Sequence, residues 1–272
     1  MDKPTRLLLS RFNALVLVRH GNTSQAPRDF DRPLSDKGRA QCVRVRTTGW
    51  LPNVARDYRI QLVIHSSARR CGETINEILK GQPSNAEGQP LSLSTPPPPK
   101  LVSESAIYDD ILQPQAKGLY ASCGHAPISD YFQQPGGREF LLSYADKVLS
   151  RLVHLSRSDS STHSSPSLSD PDDCRGSAMV VVGHSIYLNA LAYRLAAEAE
   201  LPDKDMDLAL HSCLDETDGF LLTQDPAAPA MQLLSATSRG AALFSARLSR
   251  TRRAASVPSS AAPSTGAAST AA

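Results

Sequence analysis

Short apolar runs alternate with stretches of helical periodicity along most of the 272-residue chain. Leu15-Val16-Leu17-Val18 is apolar and rich in β-branched residues, the pattern of a strand buried on both faces. Ser35 predicts an N-cap for a helix over residues 36–50, with Asp36 in its first turn. Ile60-Gln61-Leu62-Val63-Ile64 reads as a second strand. The spacing of Cys71, Ile75, Ile78 and Leu79 predicts a helix over 68–80, stopped by Gly81. Leu101-Val102 is a short strand. Leu141, Ala145, Val148, Leu149 and Leu152 fall at helical spacing within 138–155. Met179-Val180-Val181-Val182 is the clearest strand and leads into a helix over 185–200. Phe220-Leu221-Leu222 reads as the last strand. Strands separated by helices predict an α/β fold, a three-layer α/β/α sandwich around a mostly parallel sheet.

Composition interrupts this pattern in three places. Residues 82–100 hold six prolines, ending in the run Pro96 to Pro99, which favours extended polyproline geometry. Residues 156–178 contain nine serines. Residues 236–272 are rich in Ala, Ser and Pro, with five arginines and no acidic residue. The expected organisation is one domain over 1–235, with loop insertions at 82–100 and 156–178, followed by a disordered tail at 236–272. Setting the three segments aside leaves 193 residues, the size of one α/β domain. The tail reads as a floppy extension, or as a short basic helix around Leu243, Phe244 and Leu248 that touches anionic lipid or a partner. The formal charge of +2 therefore averages a tail of +5 with a body of −3.

That charge gives no support to a nucleic-acid-coating protein, and no nucleic-acid partner is expected. No apolar run approaches the roughly 18 residues that span a bilayer, so no membrane span is expected. The five cysteines (Cys42, Cys71, Cys123, Cys174 and Cys213) are scattered and odd in number. They suit free thiols in a reducing compartment, hence a cytoplasmic location. His125, His154, His163 and His211 have no metal-ligand spacing with one another or with a cysteine. Neither a metal nor a cofactor is expected.

In open α/β sheets, ligands bind beyond the carboxyl ends of the strands. Arg19-His20-Gly21-Asn22-Thr23 follows the first apolar run. His65-Ser66-Ser67 follows the second, with Arg69-Arg70 in the first turn of the next helix, and Gly183-His184-Ser185 follows Val182. Two histidines and up to three arginines thus converge on one rim. Guanidiniums bind phosphate bidentately and stay charged. Beside an imidazole they disfavour its protonation and so preserve a nucleophilic lone pair. Phosphoryl transfer needs mainly positioning and charge neutralisation, which such a cluster supplies. Gly21 is expected to let the backbone turn sharply beside the phosphate.

These residues also resemble a family. Arg19-His20-Gly21 resembles the R-H-G signature of the histidine phosphatase superfamily, the phosphoglycerate-mutase-like group. The likeness continues through Arg32-Pro33-Leu34-Ser35-Asp36-Lys37-Gly38-Arg39 and Ser66-Ser67-Ala68-Arg69-Arg70-Cys71-Gly72-Glu73-Thr74. It ends on Val180-Val181-Val182-Gly183-His184-Ser185. The resemblance implies a phosphoglycerate-mutase-like fold and a phosphatase working through a phosphohistidine on His20, without a metal. It implies that Arg19, Arg70 and His184 bind the phosphoryl group, with Asn22 as a further donor. The spacing from Ser66 favours Arg70 over Arg69.

For the general acid, Val102-Ser103-Glu104 fits the start of the family's L-x-E-x-x-x-G pattern, but Tyr108 stands where that pattern has glycine. Glu104 is the expected acid, with Asp109 and Asp110 as alternatives. The Asp31-Arg32-Pro33-Leu34 and Ala106-Ile107-Tyr108 stretches look most like SixA-type phosphohistidine phosphatases. The expected substrate is a phosphorylated small molecule or a phosphoprotein. The other readings are a phosphoglycerate mutase and a catalytically degenerate interaction protein, docking through the Pro-rich insertion or the basic tail. Residues 113–137 are expected to roof the pocket or simply to connect its neighbours.

Overall fold

A computed structural model describes residues 3–80, 98–158, 176–224 and 231–236. Along the chain run α1 (Pro4–Leu9), β1 (Ala14–Arg19), α2 (Asp36–Thr47), α3 (Leu51–Asp57), β2 (Tyr58–Ser66), α4 (Arg69–Leu79) and β3 (Lys100–Glu104). Then come α5 (Pro114–Cys123), α6 (Ile128–Gln133), α7 (Gly137–Ser158), β4 (Gly176–Gly183), α8 (Ser185–Glu198), α9 (Asp203–His211), β5 (Gly219–Gln224) and β6 (Met231–Ala236). Short 3₁₀ turns lie at Asp29–Asp31, Ser105–Ile107 and Asp109–Leu112.

The sheet order is β3-β2-β4-β1-β5-β6. The first four strands are parallel; β5 runs antiparallel to β1, and β6 runs antiparallel to β5. This is the mostly parallel α/β/α sandwich expected of the phosphoglycerate-mutase-like fold. The two-residue period of a strand sends Leu15 and Leu17 to one face, Val16 and Val18 to the other. Met179 and Val181 join the first face, where α1, α7 and α8 pack. Val180 and Val182 join the second, under α2, α3 and α4. Burial on both faces is why these strands read as unbroken apolar runs.

Three boundaries differ from the sequence reading. The helix expected over 36–50 breaks at residues 48–50, and Pro52 starts α3 afresh. Strand β6 follows the strand expected to be last and extends the sheet as far as Ala236, where the tail was expected to begin. The expected insertions overrun real elements. Lys100 already belongs to β3, α7 continues to Ser158, and β4 begins at Gly176. Serine content misled at these ends because the hydroxyls find backbone acceptors within the fold. Ser156 Oγ donates to the Val153 carbonyl at 2.7 Å, and Ser177 Oγ to the Arg11 carbonyl at 2.8 Å. Gly81, Pro96, Pro97, Cys174 and residues 237–272 lie outside the described residues, so the docking and tail readings do too. Residues 113–137 are not a plain connector: they fold into α5 and α6. No helix of the described residues is long and apolar enough to cross a membrane. Cys42, Cys71, Cys123 and Cys213 are free thiols.

Candidate active site

Three parallel strands end side by side and deliver the polar residues that follow them to one place. The ladder between β1 and β4 continues one step past β1, where the His20 amide donates to the Gly183 carbonyl at 3.1 Å. This sets His20 next to His184, with ring centroids 5.1 Å apart. At the end of β2, Ser66 Oγ lies 3.0 Å from His184 Nε2. Arg70, in the first turn of α4, is only 4% exposed and contacts both rings. Its Nε donates to His20 Nε2 at 3.3 Å, and its Nη2 lies 3.4 Å from His184 Nδ1.

These contacts fix the tautomers. His20 Nδ1 faces the Gly21 carbonyl at 2.8 Å, an acceptor only, so Nδ1 carries the proton and Nε2 the lone pair. A guanidinium only donates, so His184 accepts at Nδ1 and donates from Nε2 to Ser66. Burial, then the Arg70 charge, lowers the His20 pKa from 6.5 to about 3. Burial, then the neighbouring His20 and Arg70, pushes His184 well below its ordinary value. Both imidazoles are therefore neutral at physiological pH.

Arg19 donates from Nη1 to the Leu214 carbonyl, while its buried Nε has no hydrogen-bond partner among the described residues. Arg69 turns outward and pairs with Glu73 at 2.6 Å. Asn22 lines the pocket, but its amide is engaged: Nδ2 donates to Glu216 at 3.0 Å and Oδ1 accepts from Ser35 Oγ at 2.7 Å. Ser35 also caps α2, accepting from the Gly38 amide at 3.1 Å. A Cβ on Gly38 would fall 2.1 Å from the Asn22 carbonyl oxygen, so α2 approaches the His20 loop as closely as it does only through that glycine. Gly21 serves the same contact, its missing side chain leaving room for Gly38 and Leu34; its φ is not positive, so the expected sharp turn is not its role.

The expected acid is elsewhere. Glu104 does not line the pocket. It accepts from the Ala106 amide at 3.0 Å, capping a 3₁₀ turn, and pairs with Arg151 of α7 at 2.9 Å. Asp110 is held by Lys147 at 2.8 Å, and neither it nor Asp109 lines the pocket. The carboxylates that do line it, Asp29 and Glu216, were not singled out from the sequence. Arg70 grips Asp29 twice, Nη1 on its carbonyl at 2.6 Å and Nη2 on its carboxylate at 2.9 Å. Tyr108 Oη donates to the same carboxylate at 2.8 Å, and Arg70 lies over the Tyr108 ring, 5.6 Å from its centroid. Thus the residue that departs from the glycine of the family pattern braces Asp29 and stacks on the clamp. Burial opposes the charge on Asp29, but Arg70 and Tyr108 outweigh it and hold the carboxyl below its ordinary pKa. Glu216 is likewise held low against burial by Asn22, Gln41 and Arg19.

The pocket, of about 640 Å³, extends from these residues to a wall formed by the Asp109–Leu112 turn, α5 and the start of α8. Among the described residues no cluster of His, Cys, Asp or Glu is arranged to hold a metal ion.

Residues 15–90 match the histidine phosphatase superfamily, branch 1. Three of the four motifs that resembled it lie inside this match, including His20 and Arg70; the fourth, with His184, is brought to them by the pairing of β1 with β4. No curated protein matches the chain. Among solved structures it is similar to a putative phosphohistidine phosphatase SixA from Agrobacterium tumefaciens, at 18% identity over 78% of this chain and 92% of that one, TM-score 0.42. A mycobacterial glucosyl-3-phosphoglycerate phosphatase is similar at 17% identity over 83% and 98%, TM-score 0.46. So is a phosphoserine phosphatase from Entamoeba histolytica, at 12% over 82% and 96%, TM-score 0.43.

Proposed function

We propose that the protein is a phosphatase that works through a phosphohistidine on His20. The observation that carries this reading is one guanidinium, Arg70, bridging two neutral imidazoles beside a second, Arg19, that keeps a buried donor free. An anion is the group such a donor pair accommodates, and a phosphoryl group offers enough oxygens for Arg19, Arg70 and His184 together. His20 Nε2 attacks phosphorus, the P–N bond forms and the ester P–O bond breaks, its electron pair leaving with the ester oxygen, which takes a proton from solvent. Water then bonds to phosphorus, the electron pair returns to Nε2, and the water's proton leaves with inorganic phosphate. The arginines supply the cationic charge that phosphoryl transfer requires, so the scheme needs no metal.

Neither Asp29 nor Glu216 favours its protonated form, so leaving groups that depart without prior protonation suit the site best. The test is turnover of an aryl phosphate by wild type and His20→Ala. Loss of at least ~10³-fold in kcat, with an acid-labile phospho-enzyme trapped only in the wild type, is expected for removal of a nucleophile. Undiminished turnover in the variant overturns the mechanism.

A further inference from the structure

The far wall of the pocket is built unlike the rim that holds His20. Leu112 and its neighbour Ile111 end a 3₁₀ turn, Ala116 and Tyr120 lie one helical turn apart on α5, and Ile186 at the start of α8 lines the same cavity. Leu112 is 49% and Tyr120 47% exposed, two of the few large apolar side chains left open among the described residues. A sequence that buries Trp50, Tyr108 and Phe220 almost completely leaves these two facing an open cavity. The polar tips on this side are turned to each other: Tyr120 Oη and His125 Nε2 are 3.0 Å apart. Only Lys117 adds a charge to that wall.

We infer that the substrate is a small phosphomonoester whose esterified group is apolar and ring-sized, an aryl phosphate in chemical class, seated against Leu112 and Tyr120. This rests on the phosphatase reading above. A phosphoryl group uses only the corner formed by Arg19, His20, Arg70 and His184, so most of a 640 Å³ cavity is left for the rest of the molecule. A sugar would bring several hydroxyls to a wall with few free polar partners, and each one buried unpaired weakens binding. An aryl group loses nothing there and gains from apolar contact. The chemistry agrees with the shape. An aryl oxide departs with the electron pair of the broken P–O bond and takes its proton from solvent afterwards. The ionised Asp29 and Glu216 are then no handicap.

The experiment is steady-state hydrolysis by the full chain of phenyl phosphate, 1-naphthyl phosphate, glucose 6-phosphate and a phosphohistidine peptide, with His20→Ala as the control. Phenolate and naphtholate are similar leaving groups and differ chiefly in apolar area. The naphthyl ester should therefore show a KM about 10-fold lower than the phenyl ester, the gain expected from burying the second ring. Tyr120→Ala and, separately, Leu112→Asn should each bring the two KM values together. Equal KM values in the wild type, or a higher kcat/KM on the sugar phosphate or the phosphohistidine peptide, overturn the inference while leaving a His20-dependent phosphatase. Turnover that survives His20→Ala overturns instead the phosphohistidine mechanism on which the inference rests.

Discussion

The rim and the far wall of one pocket are held by different forces. On the rim, Arg70 has partners at Nε, Nη1 and Nη2, both histidines have both ring nitrogens engaged, and Asn22 is fixed at both ends of its amide. The backbone beneath them is the end of a parallel sheet. On the wall, Leu112 and Tyr120 stand half exposed on a short turn and a helix outside the sheet layer. Directional bonds on a rigid base fix atoms to the tolerance that chemistry needs. Contacts without direction, on an outer element, set which molecules fit without fixing any reacting atom. On this contrast a change at the rim alters rate for every substrate, and a change at the wall alters the ranking of substrates.

Arg70→Lys should break the contrast most severely. An ammonium cannot reach His20, His184 and a phosphoryl group at once, so kcat/KM should fall ~10²-fold or more on all esters alike. A substrate-selective loss would mean that the rim also discriminates. Asp29→Asn should have a smaller effect with the opposite sign in binding. The carboxylate occupies the Nη2 group that a phosphoryl oxygen needs, so removing its charge should tighten vanadate binding several-fold, read by a thermal shift. Weaker binding would instead make Asp29 the residue that positions Arg70.

The mildest effect is on stability against pH. His20 and His184 are held below 6.5 in the fold and return to it on unfolding, so unfolding takes up protons once the pH drops below about 6.5. The stability they contribute is complete above 6.5 and is lost as the pH falls toward their folded values, about 3 for His20. Tm measured from pH 7.5 to 5 should decline with a slope that His20→Ala makes shallower and the wall variant Leu112→Asn does not. Equal slopes in all three would remove the histidines as the source.

The same contrast explains what could be read from the chain alone. β1, β2 and β4 are buried on both faces and appear as apolar runs, so the residues just after them, His20, Arg70 and His184, stood out. Asp29 and Tyr108 reach the rim from 3₁₀ turns and their flanks, with no periodic pattern to mark them. The face of α5 that lines the pocket mixes Ala116, Lys117, Tyr120 and Ala121, which has no amphipathic stripe. Glu104 misled because its claim rested on spacing along the chain. Its ion pair with Arg151, 47 residues away, appears only once α7 is packed. β6 was hidden because a six-residue edge strand lies beside a segment whose composition is that of a tail.

The grip of Arg70 on Asp29 bears on the end of a catalytic cycle as much as on its start. A carboxylate tethered to the same chain acts as a counter-ion at an effective concentration in the millimolar range or above, always at hand when the site empties. Arg70 thus never stands uncompensated when the site is empty. On the proposed function, the inorganic phosphate left after hydrolysis would have to compete with that built-in anion for the guanidinium. Product would be displaced from within, and turnover would slow little as phosphate accumulates around the enzyme.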